Sequence, residues 1–484
     1  MAHVQFLDET IRDGQQSLWG MRLQAGMALP AASWLDRTGF RVIDLTGSNH
    51  FEVLIRHCRE NPWAMMDALV EAMPRTTLRS GMRSNASVTF RTTPDALMDA
   101  WMRQLNVHGA RSFWIYDVLF NIDKMLRLAK VAKEFGSEVA GAIMFTLSPV
   151  HDDAYYADKV DKLAASDDID TILLYDTAGV LEKERLTTLL PAIVSKARGK
   201  PIEFHSNNIL GQSGKAYLDA IPLGVTILHT ASRPMANGPS VPSTESVAAN
   251  LELLGHTHDL DKSMFAPVAE HFEKVGKAAG FLVNQHNEYN VLSTLHQIPG
   301  GMVGTLKAQL AQHNMSDRFE DVLREVAVVR RELGYPGMAT PFSQLVGIQS
   351  VLNVVKGERY AIIPDEIVEY AAGYYGQPVS AIDPDVLDRI MHSANAKTVL
   401  DNPPEQPTIQ ELRKRYGTDD DDELILRALM PEADLKKMRE AGPLKRTYPL
   451  LSSPELDQVA KLMKLANSPV VQFATADMSV SLRR

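Results

Sequence analysis

A single cysteine, Cys58, stands in 484 residues, so the chain has no internal disulfide and reads as a cytoplasmic protein kept in reducing surroundings. Polar neighbours and the lack of any Cys/His signature make Cys58 an idle thiol, not a nucleophile. No apolar run reaches the roughly 18 residues that a membrane span needs. The first residues alternate as a strand and do not resemble a leader peptide. Basic blocks are missing too: 50 Lys and Arg stand against 60 Asp and Glu, a net charge of −10, so nucleic acid is not an expected partner. The acidic run Asp419–Glu423 reads as a solvated helix cap, since contiguous aspartates cannot converge on one ion. What remains is a globular composition, 45% apolar and 23% charged, long enough for two or three domains or a barrel with an appendage.

Eight short β-rich runs recur with helical stretches between them: Val4–Asp8, Phe40–Leu45, Leu78–Arg83, Ser112–Asp117, Glu138–Phe145, Thr171–Asp176, Ile202–Ser206 and Thr226–Thr230. Eightfold alternation of strand and helix is the pattern of an α/β fold of the (β/α)8 TIM barrel type. The runs end in Asp8, Asp44, Arg83, Asp117, Asp176, His205 and Thr230. Active sites of such barrels lie at the C-terminal ends of the strands, so these groups are expected at one mouth. Beyond Asn250 the periodicity turns helical. The expected organisation is a barrel over residues 1–260, a mainly helical domain over 261–445 and an extension over 446–484, in which Val470–Phe473 reads as one more strand.

The opening run Phe6-Leu7-Asp8-Glu9-Thr10-Ile11-Arg12-Asp13-Gly14-Gln15-Gln16-Ser17 puts carboxylates, an arginine and amides just past the first strand. Asp8 at a strand terminus suits a divalent ion, and Arg12 and Gln16 suit the carboxylate of a small acid. This D-x-T-x-R-D-G-x-Q-S run resembles the start of barrel enzymes that make or break carbon–carbon bonds beside a metal-bound carbonyl. Further runs in the same order resemble the carboxyltransferases of the pyruvate carboxylase and oxaloacetate decarboxylase α-subunit type. They are Ser148-Pro149-Val150-His151, Asp176-Thr177-Ala178-Gly179-Val180-Leu181, Met235–Glu245, His296–Met302, Thr340–Gly347 and Gly357-Glu358-Arg359-Tyr360.

The resemblance implies a divalent metal (Mn, Zn, Co or Mg) held by Asp8, His205 and Asn207, the last standing where that family has a second histidine. It places Tyr175 where the family has a metal-binding lysine, and Pro239 where it has a proton-shuttling threonine. A phenol ligates only as phenolate, and proline has no side-chain donor. Arg12, Gln16 and Arg83 are implied as the substrate-carboxylate set, and Arg12, Tyr175 and Asp176 as the groups nearest the chemistry. His229 reads as an ordinary histidine or a mouth residue, and His256-Thr257-His258-Asp259 as a stray copy of the lost histidine motif. No biotin-carrying A-M-K-M sequence occurs, which the resemblance reads as either a separate biotinyl partner or no biotin.

Three functions compete. The first is a carboxyltransferase component acting on a small 2-oxo acid of the pyruvate or oxaloacetate type, through a metal-stabilised enolate and with a biotinyl partner. The second is a biotin-independent C–C lyase or decarboxylase acting on a carboxylate. The third is a non-catalytic scaffold subunit of a carboxylase. A homodimer is expected from the resemblance.

Overall fold

Strands β1 (Gln5–Asp8), β2 (Val42–Gly47), β3 (Thr77–Arg83), β4 (Ser112–Tyr116), β5 (Glu138–Met144), β6 (Thr171–Asp176), β7 (Ile202–Ser206) and β8 (Val225–Thr230) pair in parallel and in order. β8 returns to β1 with Leu7 opposite His229 and Asp8 opposite Thr230, which closes the barrel. The computed structural model describes the chain apart from residues 88–91, 301, 303–305, 307–309, 312–313, 450–469, 475–478 and 484. All eight expected strands are present, with their ends displaced by at most two residues.

Alternation along each strand sends one set of side chains into the lumen and the other into the helical shell. The shell-facing set joins the main apolar core, while Leu7, Val42 and Ile227 form a small separate cluster inside the barrel. Above that cluster the lumen is polar and aromatic. Gly81 on β3 is there because of Trp114: a Cβ at Gly81 would overlap the indole ring. Without a side chain at that point Trp114 lies across the lumen and its Nε1 donates to Asp44 at 2.7 Å.

The C-terminal part is helical, including Phe265–Ala279, Phe319–Glu332 and Phe342–Lys356, and it reaches over the strand ends. Gln297 Oε1 accepts from Thr146 Oγ1 at 2.9 Å and Leu147 N at 2.8 Å, just past β5. Buried Arg330 donates to the Thr146 hydroxyl and the Leu147 carbonyl. Asn85 Nδ2, past β3, donates to the Tyr375 carbonyl at 3.0 Å. These bonds tie the loops that surround the mouth to the helical layer, so their positions depend on both parts of the chain. At the far end of the sequence, β9 (Val470–Ala474) pairs antiparallel with β10 (Ser479–Arg483). The strand expected at Val470–Phe473 is therefore one half of a hairpin.

Candidate active site

The floor of the polar lumen is an ion pair. Arg79 Nη1 and Nη2 donate to the two Glu203 oxygens at 2.6 and 3.0 Å, and Arg79 Nε donates to Ser112 Oγ at 2.8 Å. Thr171 Oγ1 donates to Glu203 Oε1 at 2.6 Å. Neither partner is exposed at all. A charged residue in the middle of a fully buried parallel strand has to point into the barrel and find an opposite charge there. Burial pushes the Glu203 carboxyl up, but Arg79 and His229 override this and hold it well below the usual carboxylate range.

His229 on β8 is the next rung. Its Nε2 is 3.0 Å from Glu203 Oε2 and its Nδ1 is 2.8 Å from Glu9 Oε1. Burial alone would depress this imidazole; the two carboxylates reverse the sign and raise it. Glu9 Oε1 also lies 3.3 Å from His205 Nδ1, and Glu9 Oε2 lies 2.8 Å from Arg12 Nε. Burial would raise the Glu9 carboxyl, yet Arg12 and the two histidines take it well below normal.

Arg12 is enclosed by this network. Its Nε is 3.3 Å from Asp44 Oδ2, its Nη1 is 3.6 Å from Asp13 Oδ1, and its guanidinium lies 5.0 Å from the Trp114 ring centroid. Arg12 Nη1 also donates to the Tyr175 hydroxyl at 3.4 Å. Burial, with the charge of Glu9 next, lifts Asp44 to about 7. Burial also raises Tyr175 far above its ordinary value, so the phenol keeps its proton at neutral pH.

The mouth lies above. Asp13 Oδ2 accepts from Asn207 Nδ2 at 3.0 Å and from Ser240 Oγ at 3.2 Å. Asn207 also donates to the Pro239 carbonyl at 3.0 Å. His205 Nε2 is buried, has no hydrogen-bond partner among the described residues, and faces Asp13 Oδ1 at 3.8 Å.

This geometry redistributes the residues expected from the sequence. His205, Asn207, Arg12 and Tyr175 come together; Asp8 does not join them. Leu7 and Glu9 face the lumen, so Asp8 faces the shell, where it accepts from Thr10 Oγ1 at 2.6 Å and Thr10 N at 3.2 Å. Burial lifts its carboxyl to about 8. The carboxylate beside His205 is Asp13, on the π-helical turn Thr10–Gly14. Asp176 also faces outward: it accepts from Val180 N, Leu181 N and Ser206 Oγ, and so fixes the loop after β6. Thr230 and Asp117 point the same way, bonding Thr244 and Ser84. His256 accepts the Ala2 backbone N–H, and His258 lies beside Glu252, both away from the mouth.

Arg83, at the end of β3, is 2% exposed and its Nη2 donates to Asn49 Oδ1 at 2.8 Å and to the Ser87 carbonyl. Its Nε and Nη1 are buried with no partner among the described residues, and burial lowers its pKa. Tyr116, opposite Arg83 across the β3–β4 ladder, stacks on Trp114 at 5.1 Å, which puts Arg83 on the Arg12 side of the lumen. Gln16 is half-buried and makes no hydrogen bond among the described residues.

Among the described residues, Glu9, His205 and His229 form a group that could hold a metal. Their contacts argue otherwise. Two donors bonded to one ion at about 2.0–2.2 Å in a tetrahedral set lie about 3.3–3.5 Å apart. His205 Nδ1 is 3.3 Å from both Glu9 Oε1 and His229 Nδ1, but the 2.8 Å between His229 and Glu9 is a hydrogen bond, and the other Glu9 oxygen is ion-paired with Arg12 at 2.8 Å. The bare Nε2 of His205 with Asp13 Oδ1 fits an ion better, because their 3.8 Å separation can be bridged by bonds of about 2.0–2.2 Å. The Glu9 contact on the far nitrogen is the usual support of a metal-binding histidine. Tyr175, held protonated, does not fit as a ligand.

Comparison with known proteins agrees with this architecture. The family model of a conserved carboxylase domain matches residues 294–473. A pyruvate carboxylase subunit of Methanocaldococcus jannaschii is 32% identical over 477 residues, covering 97% of this chain and 82% of its own. The chain belongs to the family of that pyruvate carboxylase subunit. Within this family the 2-oxoglutarate carboxylase large subunit of Hydrogenobacter thermophilus is 30% identical, covering 90% of this chain and 69% of its own. The carboxyl transferase domain of Rhizobium etli pyruvate carboxylase, solved with pyruvate and biocytin, shares the fold with a TM-score of 0.81. It is 22% identical and covers 91% of this chain and 78% of its own. Members of the pyruvate carboxylase family are carboxylase and carboxyltransferase enzymes, so the enzymatic readings stand above the scaffold reading. No helix of the described residues is long and apolar enough to cross a membrane.

Proposed function

We propose that this chain is a carboxyltransferase component that moves a carboxyl group between a biotinyl partner and a small 2-oxo acid of the pyruvate or oxaloacetate type. The observation that carries the reading is Arg83, a buried guanidinium at the barrel mouth with two nitrogens that have no hydrogen-bond partner among the described residues. A buried guanidinium with open donors is costly, and a substrate carboxylate supplies a bidentate acceptor for them. Arg12, by contrast, is neutralised by Glu9, Asp44 and Asp13. Its role is to hold Tyr175 and the acidic rungs in place, with Arg83 and Gln16 meeting the substrate carboxylate.

A divalent ion would be held by His205 and Asp13, with the Asn207 amide oxygen beside them; when bound it stabilises negative charge on the substrate carbonyl oxygen. Tyr175 accepts from Arg12, so its own O–H is available to donate to that oxygen or to the carbon that exchanges the carboxyl group. The wall of Trp114, Tyr116 and Tyr175 excludes water from the reacting centre. The relatives' range of names, from pyruvate to 2-oxoglutarate carboxylase, supports a 2-oxo acid without fixing which one. Two copies of the chain are expected to pair, and light scattering checks this.

The test is decarboxylation of oxaloacetate and other 3-carboxylated 2-oxo acids by the purified, metal-loaded protein, with and without free biotin. Stimulation by biotin supports the transferase reading. Turnover that biotin does not alter would establish the biotin-independent lyase, a reading favoured by Pro239, whose backbone oxygen is taken by Asn207 and which has no side-chain proton to offer biotin.

A further inference from the structure

We propose that Thr10 is a positioning residue: its hydroxyl fastens the π-helical turn that carries Arg12 and Asp13 to the loop after β8 that carries Pro239 and Ser240. The inference deepens the reading of the barrel mouth as the reacting centre and rests on it.

Thr10 is buried at the first position of the turn Thr10–Gly14. Its Oγ1 donates to Asp8 Oδ1 at 2.6 Å, and its backbone N–H donates to Asp8 Oδ2 at 3.2 Å. A hydroxyl has one proton to give and lone pairs to receive. With the proton committed to Asp8, Oγ1 accepts the backbone N–H of Ser232 at 2.8 Å. Ser232 is buried just past β8, and its own carbonyl accepts from Met235 N at 2.8 Å, which closes the short helical turn Arg233–Met235. One oxygen atom thus joins the start of the π-helical turn to the start of the β8 loop. The outward-facing carboxyl of Asp8 holds that oxygen from behind.

The two segments stay together further up. A Cβ on Gly14 would lie 2.8 Å from the Met235 carbonyl oxygen and 2.9 Å from Met235 Cβ, so the end of the turn lies directly against the loop. Beyond Met235 the loop folds back, with Ser240 N donating to the Asn237 carbonyl and Asn237 N to the Val241 carbonyl. Ser240 Oγ then reaches Asp13 Oδ2 at 3.2 Å, and the Pro239 carbonyl accepts from Asn207. The meeting of Asp13 with the loop is therefore the far end of a seam that begins at Thr10. Glu245 accepts from Arg233 N at 3.1 Å and steadies the loop alone; Thr10 bonds both sides.

The hydroxyl can be separated from the bulk of the side chain. Thr10→Val keeps the branched shape but removes donor and acceptor together, leaving a buried Ser232 N–H unpaired. Thr10→Ser keeps both. Hydrogen–deuterium exchange of the full chain, read by mass spectrometry, compares the two with wild type. In Thr10→Val, peptides spanning residues 9–16 and 231–241 should exchange faster while those of β3 to β6 stay as in wild type. Thr10→Ala serves if Thr10→Val does not fold. Decarboxylation of oxaloacetate by the same metal-loaded proteins should show kcat about 100-fold lower in Thr10→Val, the cost of a displacement of about 1 Å among reacting groups. KM should hold, because Arg83 stands on β3, outside the seam. Thr10→Ser should restore both exchange and kcat. Unchanged exchange in Thr10→Val, faster exchange throughout the barrel, or a Thr10→Ser as impaired as Thr10→Val overturns the proposal. So does a rise in KM in place of the fall in kcat. If the wild type turns over no 2-oxo acid, the carboxyltransferase reading fails, and the exchange pattern alone upholds or overturns the seam.

Discussion

Replacing Arg79 by methionine removes the charge at the barrel floor while keeping an unbranched apolar side chain of comparable length. Glu203 is then a carboxylate with no exposure and no guanidinium. Breaking a buried pair by removing one partner costs about 3–5 kcal/mol. Here Glu203 keeps the Thr171 hydroxyl at 2.6 Å and His229 at 3.0 Å, which places the expected cost near the lower end, about 3 kcal/mol. In Arg79→Met/Glu203→Gln the amide oxygen still accepts from Thr171 and no anion remains at the barrel floor. The double variant should therefore recover about 2 kcal/mol of the loss, even though it removes more of the original polar contacts. Urea unfolding of metal-free wild type, both single variants and the double variant, followed by tryptophan fluorescence, measures this coupling. Trp114 lies in the lumen and senses the transition directly. Single-variant costs that add to within about 0.5 kcal/mol would refute the reasoning, because the pair would then be two independent side chains.

Arg83→Gln should raise KM for the 2-oxo acid about 10–100-fold with a smaller change in kcat, the loss of about 1.5–3 kcal/mol of charge-assisted bonding; an unchanged KM removes Arg83 from the substrate site. Tyr175→Phe should lower kcat about 100-fold and leave metal content measured by elemental mass spectrometry unaltered; loss of metal would make Tyr175 a ligand after all. Asp8→Asn tests the outward carboxyl. Its folded value of about 8 lies above the ordinary one, so its contribution is fully present at low pH and is lost as pH rises through 8. The variant should gain Tm relative to wild type between about pH 5 and pH 8, and parallel pH profiles would show that Asp8 is not buried as described.

The barrel was legible because its signal is repeated eight times: each β-rich run is bounded by a helical stretch, and an error of two residues at any one end leaves the topology unchanged. The site was less legible because it depends on side-chain parity, which changes with a shift of one residue. Asp8 and Glu9 are neighbours, both carboxylates at the end of β1, and only the alternation from Leu7 tells that Glu9 faces the lumen and Asp8 the shell. The same parity separates Tyr175 from Asp176 and His205 from Ser206. Glu203 and Arg79 carried a readable signal that pattern counting passed over, being charged residues inside otherwise apolar strands of a sheet covered on both faces. Their pairing across the barrel, from β3 to β7, was not readable, because strand sequence does not state which lumen positions share a layer.

The distinction between Arg12 and Arg83 shows why a residue's chemistry does not settle its role. Both are arginines just past or at a strand end, and both suit a carboxylate. Arg12 has Glu9, Asp44 and Asp13 within 2.8–3.6 Å, so adding a substrate anion there would crowd a further negative charge onto a guanidinium already surrounded by carboxyl groups. Among the described residues Arg83 has only an amide oxygen and a backbone carbonyl as hydrogen-bond acceptors, both on a single nitrogen. Of the two, the arginine with fewer partners gains more from a ligand, since binding there satisfies buried donors instead of displacing partners. If Arg12→Lys left KM unchanged but lowered kcat, while Arg83→Gln raised KM, the division of labour would follow from this difference in prior occupancy. The reverse pattern would mean that the acidic network around Arg12 opens when substrate arrives.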